Sequence, residues 1–209
     1  MKNVAGYLTK QLVKKKLIEL SQQEYYHYGL ELLVGKVVNF SALLLLAVSM
    51  KMIVPSVWFL GFFLILRGRT GGYHASTEMR CFIGTIGIYV ITVRYVLPVL
   101  IERKWIVFLC LGAVVFIILK WAPVNHPNIA FSKEEVSQYK KRARRVLNFE
   151  LIIIIILWLF GVVADIYISA GLGMTACAFL VVIAKIIGQE VKENEKWKEE
   201  FVEGSKKGG

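Results

Sequence analysis

Long runs of apolar residues, separated by short polar segments, dominate the sequence. The hydrocarbon core of a bilayer is about 30 Å thick, and a helix needs roughly 20 apolar residues to cross it. The pattern therefore predicts an all-α, polytopic membrane protein with about six transmembrane helices. The predicted spans are Leu30–Met50, Met52–Leu66, Cys81–Ile101, Trp105–Trp121, Phe149–Ala170 and Leu172–Gly188.

The segments that flank the spans are amphipathic or charged. In residues 1–28, apolar positions recur among lysines at roughly the helical period, which is typical of an amphipathic helix on the membrane surface. A second polar helix, from Ser132 to about Asn148, carries a cluster of basic residues, and residues 189–209 form a charged tail. We interpret residues 1–209 as a single membrane domain: an interfacial segment, six spans within residues 30–188, and a cytoplasmic tail.

The charge pattern predicts the orientation in the membrane. The chain is 56% hydrophobic with a net charge of +11, and soluble domains average about 45–50% apolar residues. Lysines and arginines are abundant in alternate loops, which is the positive-inside pattern for a multi-pass protein of the bacterial plasma membrane with both termini cytoplasmic. The first 25 residues are too polar for a cleavable signal peptide. The positive charge is then explained by topology and by anionic lipids, and no nucleic-acid partner is expected.

One histidine and one cysteine lie close together at a predicted membrane boundary. His74 follows the segment Arg67–Tyr73, and Cys81 opens the third predicted span. Histidine and cysteine are the usual pair for thiolate nucleophilic catalysis, and the charge pattern places both on the cytoplasmic side. The alternative is a neutral loop histidine beside an ordinary cysteine.

The spacing of this pair constrains its geometry. Residues seven apart on one helix share a face but stand about 10.5 Å apart along the axis, and helical side chains lean toward the N-terminus. We therefore predict that the helix excludes His74, with Ser76 as N-cap and Glu78 as a first-turn acid. A turn at Gly71-Gly72 would bring the histidine back toward Cys81.

Other features of the sequence leave alternatives open. Cys110 and Cys177 fall inside predicted spans, where a thiol usually packs. Arg94 is an intramembrane charge and a candidate partner of Asp165 or Glu150. These charges would suit a small transporter or peptide exporter without thiol catalysis, and a structural or regulatory membrane protein is a third interpretation. The sequence has no His-Glu-x-x-His or Gly-x-Ser-x-Gly motif, and neither a metal nor a cofactor is expected.

Two motifs together resemble the AgrB family (accessory gene regulator protein B). One is Arg69, Gly71-Gly72, His74 and Cys81 at the start of an apolar span; the other is Ala122–Asn128 followed by a basic helix. The resemblance implies a homodimeric membrane cysteine endopeptidase of a quorum-sensing system. Such an enzyme cleaves an AgrD-like propeptide through an acyl-thioester and promotes its cyclisation to an autoinducing thiolactone or lactone peptide.

The same resemblance implies roles for individual residues. His74 and Cys81 would be catalytic, Ser76 and Thr77 could contribute to an oxyanion hole, and Glu78 could orient the histidine. An acidic part of the propeptide would bind to basic residues on the cytoplasmic side. The predicted substrate-binding residues are Arg69, Lys140, Lys141, Arg142, Arg144 and Arg145.

Overall fold

The computed structural model describes residues 2–73, 78–124 and 133–188. Within these ranges the chain is helical, apart from turns and one isolated parallel bridge between Gly71 and Val124. The predicted all-α fold is therefore confirmed. The helices are α1 (Lys2–Lys14), α2 (Gln23–Ser49), α3 (Ile53–Thr70), α4 (Glu78–Val90), α5 (Leu97–Glu102), α6 (Trp105–Trp121), α7 (Lys133–Leu159) and α8 (Ala164–Ile186).

The N-terminal segment folds into two helical pieces rather than one. Helix α1 ends at Lys14, a 3₁₀ turn occupies Leu20–Gln22, and α2 begins at Gln23. Helix α1 packs on α2 and buries Ala5 and Thr9. Its apolar residues Val4 and Leu8 are exposed, so they remain free for the predicted contact with lipid.

Helices α3 and α8 form the centre of the bundle. Helix α8 is rich in small residues, and nearly all of it from Tyr167 to Ala178 is buried. A Cβ atom on Gly173 would lie 2.4 Å from the carbonyl oxygen of Phe59 and 3.1 Å from the amide nitrogen of Phe63. Small residues allow the close backbone approach by which membrane helices associate, and here that approach holds α8 against α3.

Helix α4 continues through a π-helical stretch, Ile91–Val96, into α5. The hydroxyl groups of Ser56 on α3 and Tyr89 on α4 are 2.6 Å apart and share a buried hydrogen bond. Phe59 packs edge-on against the same tyrosine ring, with ring centroids 5.9 Å apart. These contacts attach the end of α4 to α3.

The last two predicted spans have the wrong boundaries. The basic helix and the beginning of the predicted span Phe149–Ala170 form one continuous helix, α7, which ends at Leu159. A turn at Phe160–Val163 follows, with Gly161 at a φ of +65°. Helix α8 then begins at Ala164, eight residues before the start of the sixth predicted span, Leu172–Gly188.

The described residues contain four helices long and apolar enough to cross a membrane. A fifth apolar helix, α6, is shorter than these four. The chain is thus a membrane protein, whereas the count of six spans stays a prediction. The four helical segments are Leu20–Ser49, Ile53–Thr70, Met79–Glu102 and Ala164–Ile186.

Candidate active site

A turn tied to two other parts of the bundle follows α3. Helix α3 ends at Thr70, and Gly71 adopts a φ of +69°. The Val124 N–H donates to the Thr70 carbonyl at 2.8 Å, and the Tyr73 N–H donates to the Leu180 carbonyl of α8 at 3.0 Å. A Cβ atom on Gly71 would lie 1.7 Å from the Val124 carbonyl oxygen. Only glycine therefore fits here, and the turn is held against both the end of α6 and α8.

The side chain of Arg67 turns inward beneath this turn. Its Nη2 donates to the Tyr73 carbonyl at 2.8 Å, while its Nη1 is buried and has no hydrogen-bond partner among the residues described. A Cβ atom on Gly72 would lie 2.8 Å from Nη1, so the glycine lies directly over the guanidinium. The guanidinium carbon also lies 5.8 Å from the centre of the Phe63 ring.

Two thiols lie within electrostatic range of the Arg67 guanidinium. Cys177 on α8 is 0% exposed, and its sulfur lies 3.2 Å from the Thr70 hydroxyl. Cys81 is the fourth residue of α4 and is partly exposed. The first turn of a helix has unpaired N–H groups and favours negative charge. Of these two thiols, Cys81 is therefore the accessible one.

Glu150 brings an acidic group into the same region from α7. Its side chain is 2% exposed, and both carboxyl oxygens are buried without a hydrogen-bond partner in the described parts of the chain. It lies within electrostatic range of Cys177. The pairing with Arg94 considered from the sequence is absent, because Arg94 is exposed in the π-helical stretch. Asp165 is exposed at the start of α8.

Part of the predicted catalytic set lies outside the described residues. His74, Ser76 and Thr77 fall in the undescribed segment 74–77. The backbone of Glu78 begins α4, but its side chain is also outside the described part of the structure. Their predicted roles, and the predicted exclusion of His74 from the helix, remain hypotheses. The structure locates Cys81 alone among these residues.

The predicted substrate-binding residues all lie on the surface of the protein. Helix α7 packs on α3 and α8, and its buried residues Leu147 and Ile154 belong to the hydrophobic core of the bundle. The remaining faces of its first half present the basic cluster to the outside. The exposed residues are Arg69, Lys140, Lys141, Arg142, Arg144 and Arg145.

Sequence reasoning did not assign Arg67 or Thr70 to the site, although the helical period gives a signal. The buried residues of α3 include Phe63, Leu66 and Thr70, and Arg67 lies between the last two on the same side of the helix. Arg69, two positions further on, is turned away. The register of the helix therefore selects one arginine of the Arg-Gly-Arg sequence as the inner one.

The family model for accessory gene regulator B matches residues 1–187, nearly the whole chain. The search of curated proteins and the search of solved structures each find no match.

Proposed function

The chain belongs to the accessory gene regulator B family, and from that premise we propose that it is a membrane-embedded cysteine endopeptidase. Its substrate is an AgrD-like propeptide, from which it removes the C-terminal part. The observation that carries the proposal is the position of Cys81, partly exposed in the first turn of α4 and within electrostatic range of the buried Arg67. A nearby cation and a helix N-terminus are the features that typically activate a thiol.

The reaction runs through two acyl transfers. His74 accepts the proton of Cys81, and the thiolate attacks a carbonyl carbon of the propeptide. The C–N bond breaks, the departing amine takes the proton that His74 held, and an acyl-thioester remains on Cys81. A cysteine or serine side chain of the same peptide then attacks the thioester, closes a thiolactone or lactone ring and releases Cys81 with its proton. Water must be excluded at this stage, because it would hydrolyse the thioester instead.

The basic cluster on α7 has a role in this proposal. Lys140, Lys141, Arg142, Arg144 and Arg145 are exposed, and clustered charge of one sign raises the local concentration of an oppositely charged ligand. The cluster would attract an acidic part of the propeptide to the cytoplasmic side of the membrane. In this proposal the active form of the protein is a homodimer. Replacing all five by glutamine should slow cleavage at low salt and matter less at high salt. Equal cleavage at low salt would remove this role.

The proposal is tested by expressing the chain together with its propeptide and analysing the products by mass spectrometry. Cys81→Ala and His74→Ala should each abolish the C-terminal fragment while the protein still accumulates in the membrane. Cys110→Ala is the matched control, because Cys110 on α6 is also partly buried and should leave cleavage intact. Unchanged cleavage by Cys81→Ala would remove Cys81 as the nucleophile and favour a transporter instead.

A further inference from the structure

An open cavity lies at the elbow between α1 and α2. Its volume is about 390 Å³, and all the residues that line it fall within residues 13–22. The lining includes one lysine, one acid and one amide, which are Lys16, Glu19 and Gln22. Leu17 and Leu20 also line the cavity, and they are 66% and 74% exposed. This elbow cavity therefore presents charged and apolar groups to the same ligand.

The elbow cavity lies at one end of a candidate membrane span. The helical segment Leu20–Ser49 is long and apolar enough to cross a membrane, and its first residue lines the cavity. Three consecutive exposed lysines, residues 14–16, stand just before it. Lysines clustered beside a span attract the anionic lipids of the cytoplasmic leaflet. The cavity is thus placed where the headgroups of such lipids lie.

The backbone of Lys16 has a conformation that glycine usually provides. Lys16 follows α1 with a φ of +55°, and its N–H donates to the Val13 carbonyl at 2.9 Å. The Leu17 N–H donates to the Leu12 carbonyl at 3.0 Å. This pair of hydrogen bonds is the Schellman motif, in which glycine is preferred at the residue of positive φ. Gly161 occupies the same place after α7, at a φ of +65°.

Lys51 repeats the arrangement at the other end of α2, away from the elbow cavity. Its φ is also +55°, and its N–H donates to the Val48 carbonyl at 3.0 Å. The Met52 N–H donates to the Ala47 carbonyl at 3.0 Å. A positive charge is favourable at any helix C-terminus, so that gain applies to both lysines. The cavity is what distinguishes Lys16 from Lys51.

The polar lining fits a phosphate diester that also carries hydroxyl groups. The Lys16 ammonium group has three donors for phosphate oxygens, and the Glu19 carboxylate can accept from hydroxyl groups. The Ser21 hydroxyl already donates to Glu19 at 3.2 Å. An acid in the lining repels a bare anion such as inorganic phosphate. A headgroup with hydroxyl donors avoids this penalty, because it can bind to both side chains.

We propose that the elbow cavity binds the headgroup of an anionic phospholipid. The phosphate accepts from Lys16, the headgroup hydroxyls donate to Glu19, and Leu17 and Leu20 contact the first part of the acyl chains. Phosphatidylglycerol has these groups and serves as the probe. The bound lipid would connect α1 and the start of α2 to the membrane surface. The inference is independent of the proposed peptidase activity, because lipid binding is measured without a propeptide.

The test measures lipid binding at the cavity itself. The full chain is placed in phosphatidylcholine nanodiscs that contain a rising fraction of phosphatidylglycerol with a photoreactive headgroup. After irradiation, mass spectrometry measures labelling of residues 13–22, and its half-saturation gives an apparent Kd. We expect Lys16→Gly to raise this Kd by about tenfold, the usual effect of losing a hydrogen bond to a charged group. Its melting temperature should stay near that of the wild type, because glycine fits the positive φ.

Four further variants control this experiment. Lys16→Gln keeps the Cβ atom and should show the same loss, so it decides the case if the glycine variant is unstable. Lys16→Arg keeps a cation that binds phosphate and should stay within about threefold of the wild type. Lys51→Gly makes the same backbone change away from the cavity. Lys15→Gln removes one charge beside the cavity, and both should stay within about twofold because surface charges are screened.

The opposite outcomes overturn the inference. Unchanged labelling in both Lys16→Gly and Lys16→Gln would mean that the lysine does not bind the headgroup. An equal loss in Lys15→Gln would show diffuse attraction by the lysines and no site. Equal affinity for photoreactive phosphatidylethanolamine would contradict the recognition of an anionic headgroup. Displacement of the lipid by inorganic phosphate would show that the cavity takes any free anion.

Discussion

The surroundings of Cys81 and Cys177 differ in access more than in charge. One guanidinium, that of Arg67, lies within electrostatic range of both sulfur atoms. Cys177 is 0% exposed and lies 3.2 Å from the Thr70 hydroxyl, whereas Cys81 is partly exposed in the first turn of α4. A nearby cation is therefore not what distinguishes the proposed nucleophile. The difference is that a substrate can reach Cys81, while α3 and α8 enclose Cys177.

The largest expected effect is on cleavage of the propeptide. Cys81→Ala should lower the rate by about 10³-fold or more, as removal of a nucleophile does. Cys177→Ala should stay within about fivefold of wild type and cost about 1–2 kcal/mol of stability through the small cavity it leaves. Product mass spectrometry and thermal unfolding measure both quantities. Equal loss of cleavage in a Cys177→Ala protein of normal stability would show that the two thiols act together.

The second way to break the comparison is to disturb the turn that follows Thr70, the residue whose hydroxyl contacts Cys177. Gly71→Ala places a Cβ atom against the Val124 carbonyl at a positive φ, which should cost about 3 kcal/mol. Cys177 should then react with N-ethylmaleimide in the folded membrane protein. Gly84→Ala is the control, since nothing lies within 4 Å of its Cβ position and a helical alanine is favoured by about 0.5–1 kcal/mol. A Gly71→Ala protein of wild-type stability would contradict the close contact.

A smaller effect would show whether the shared cation matters for Cys81. Arg67→Gln should slow the reaction of Cys81 with N-ethylmaleimide at pH 7 by roughly threefold, because a nearby positive charge stabilises the thiolate. Arg69→Gln is a matched control from the same helix turn, and its exposed side chain should have little influence. Equal rates in both variants would argue that Arg67 serves the turn and not the thiol.

The smallest effect concerns Thr70. Thr70→Val removes the hydroxyl that contacts Cys177 and the Leu66 carbonyl, and should cost about 1 kcal/mol of stability. Alkylation of Cys81 should be unchanged, while Thr70→Ser should restore the stability. A change in Cys81 alkylation in the Val variant would mean that the two thiol environments are coupled.

Hydropathy predicted most helix positions well but not the boundary between α7 and α8. The predicted spans Leu30–Met50 and Met52–Leu66 correspond to α2 and α3. The region from Phe149 onward is almost continuously apolar, so composition gives no signal for the turn at Phe160–Val163. That turn depends on the positive φ of Gly161 and on how α8 packs, which hydropathy does not measure.

The sequence identified the site residue whose role follows from its residue type. It did not identify residues whose role depends on which face of a helix points into the bundle. Cys81 was recognised from its place beside a Gly-Gly turn at the membrane edge. The choice between Arg67 and Arg69 depends on which face of α3 meets α8, and the partner of Glu150 depends on how α7 is rotated. Both are tertiary properties, so the sequence could offer Glu150 only as one candidate partner of Arg94, and the structure shows no hydrogen bond to its carboxyl oxygens in the described parts of the chain.

The hydrogen bond from Tyr73 to Leu180 has a consequence for the order of assembly during translation. The turn that precedes Cys81 leaves the ribosome well before the Leu180 carbonyl that accepts its hydrogen bond, because α4 to α7 and most of α8 lie between Tyr73 and Leu180 in the sequence. Because Leu180 is synthesised after α3 and α4, this hydrogen bond can form only after α8 has been made. The surroundings of Cys81 therefore mature only when synthesis has passed α8, and a nascent chain carries its cysteine without the finished site.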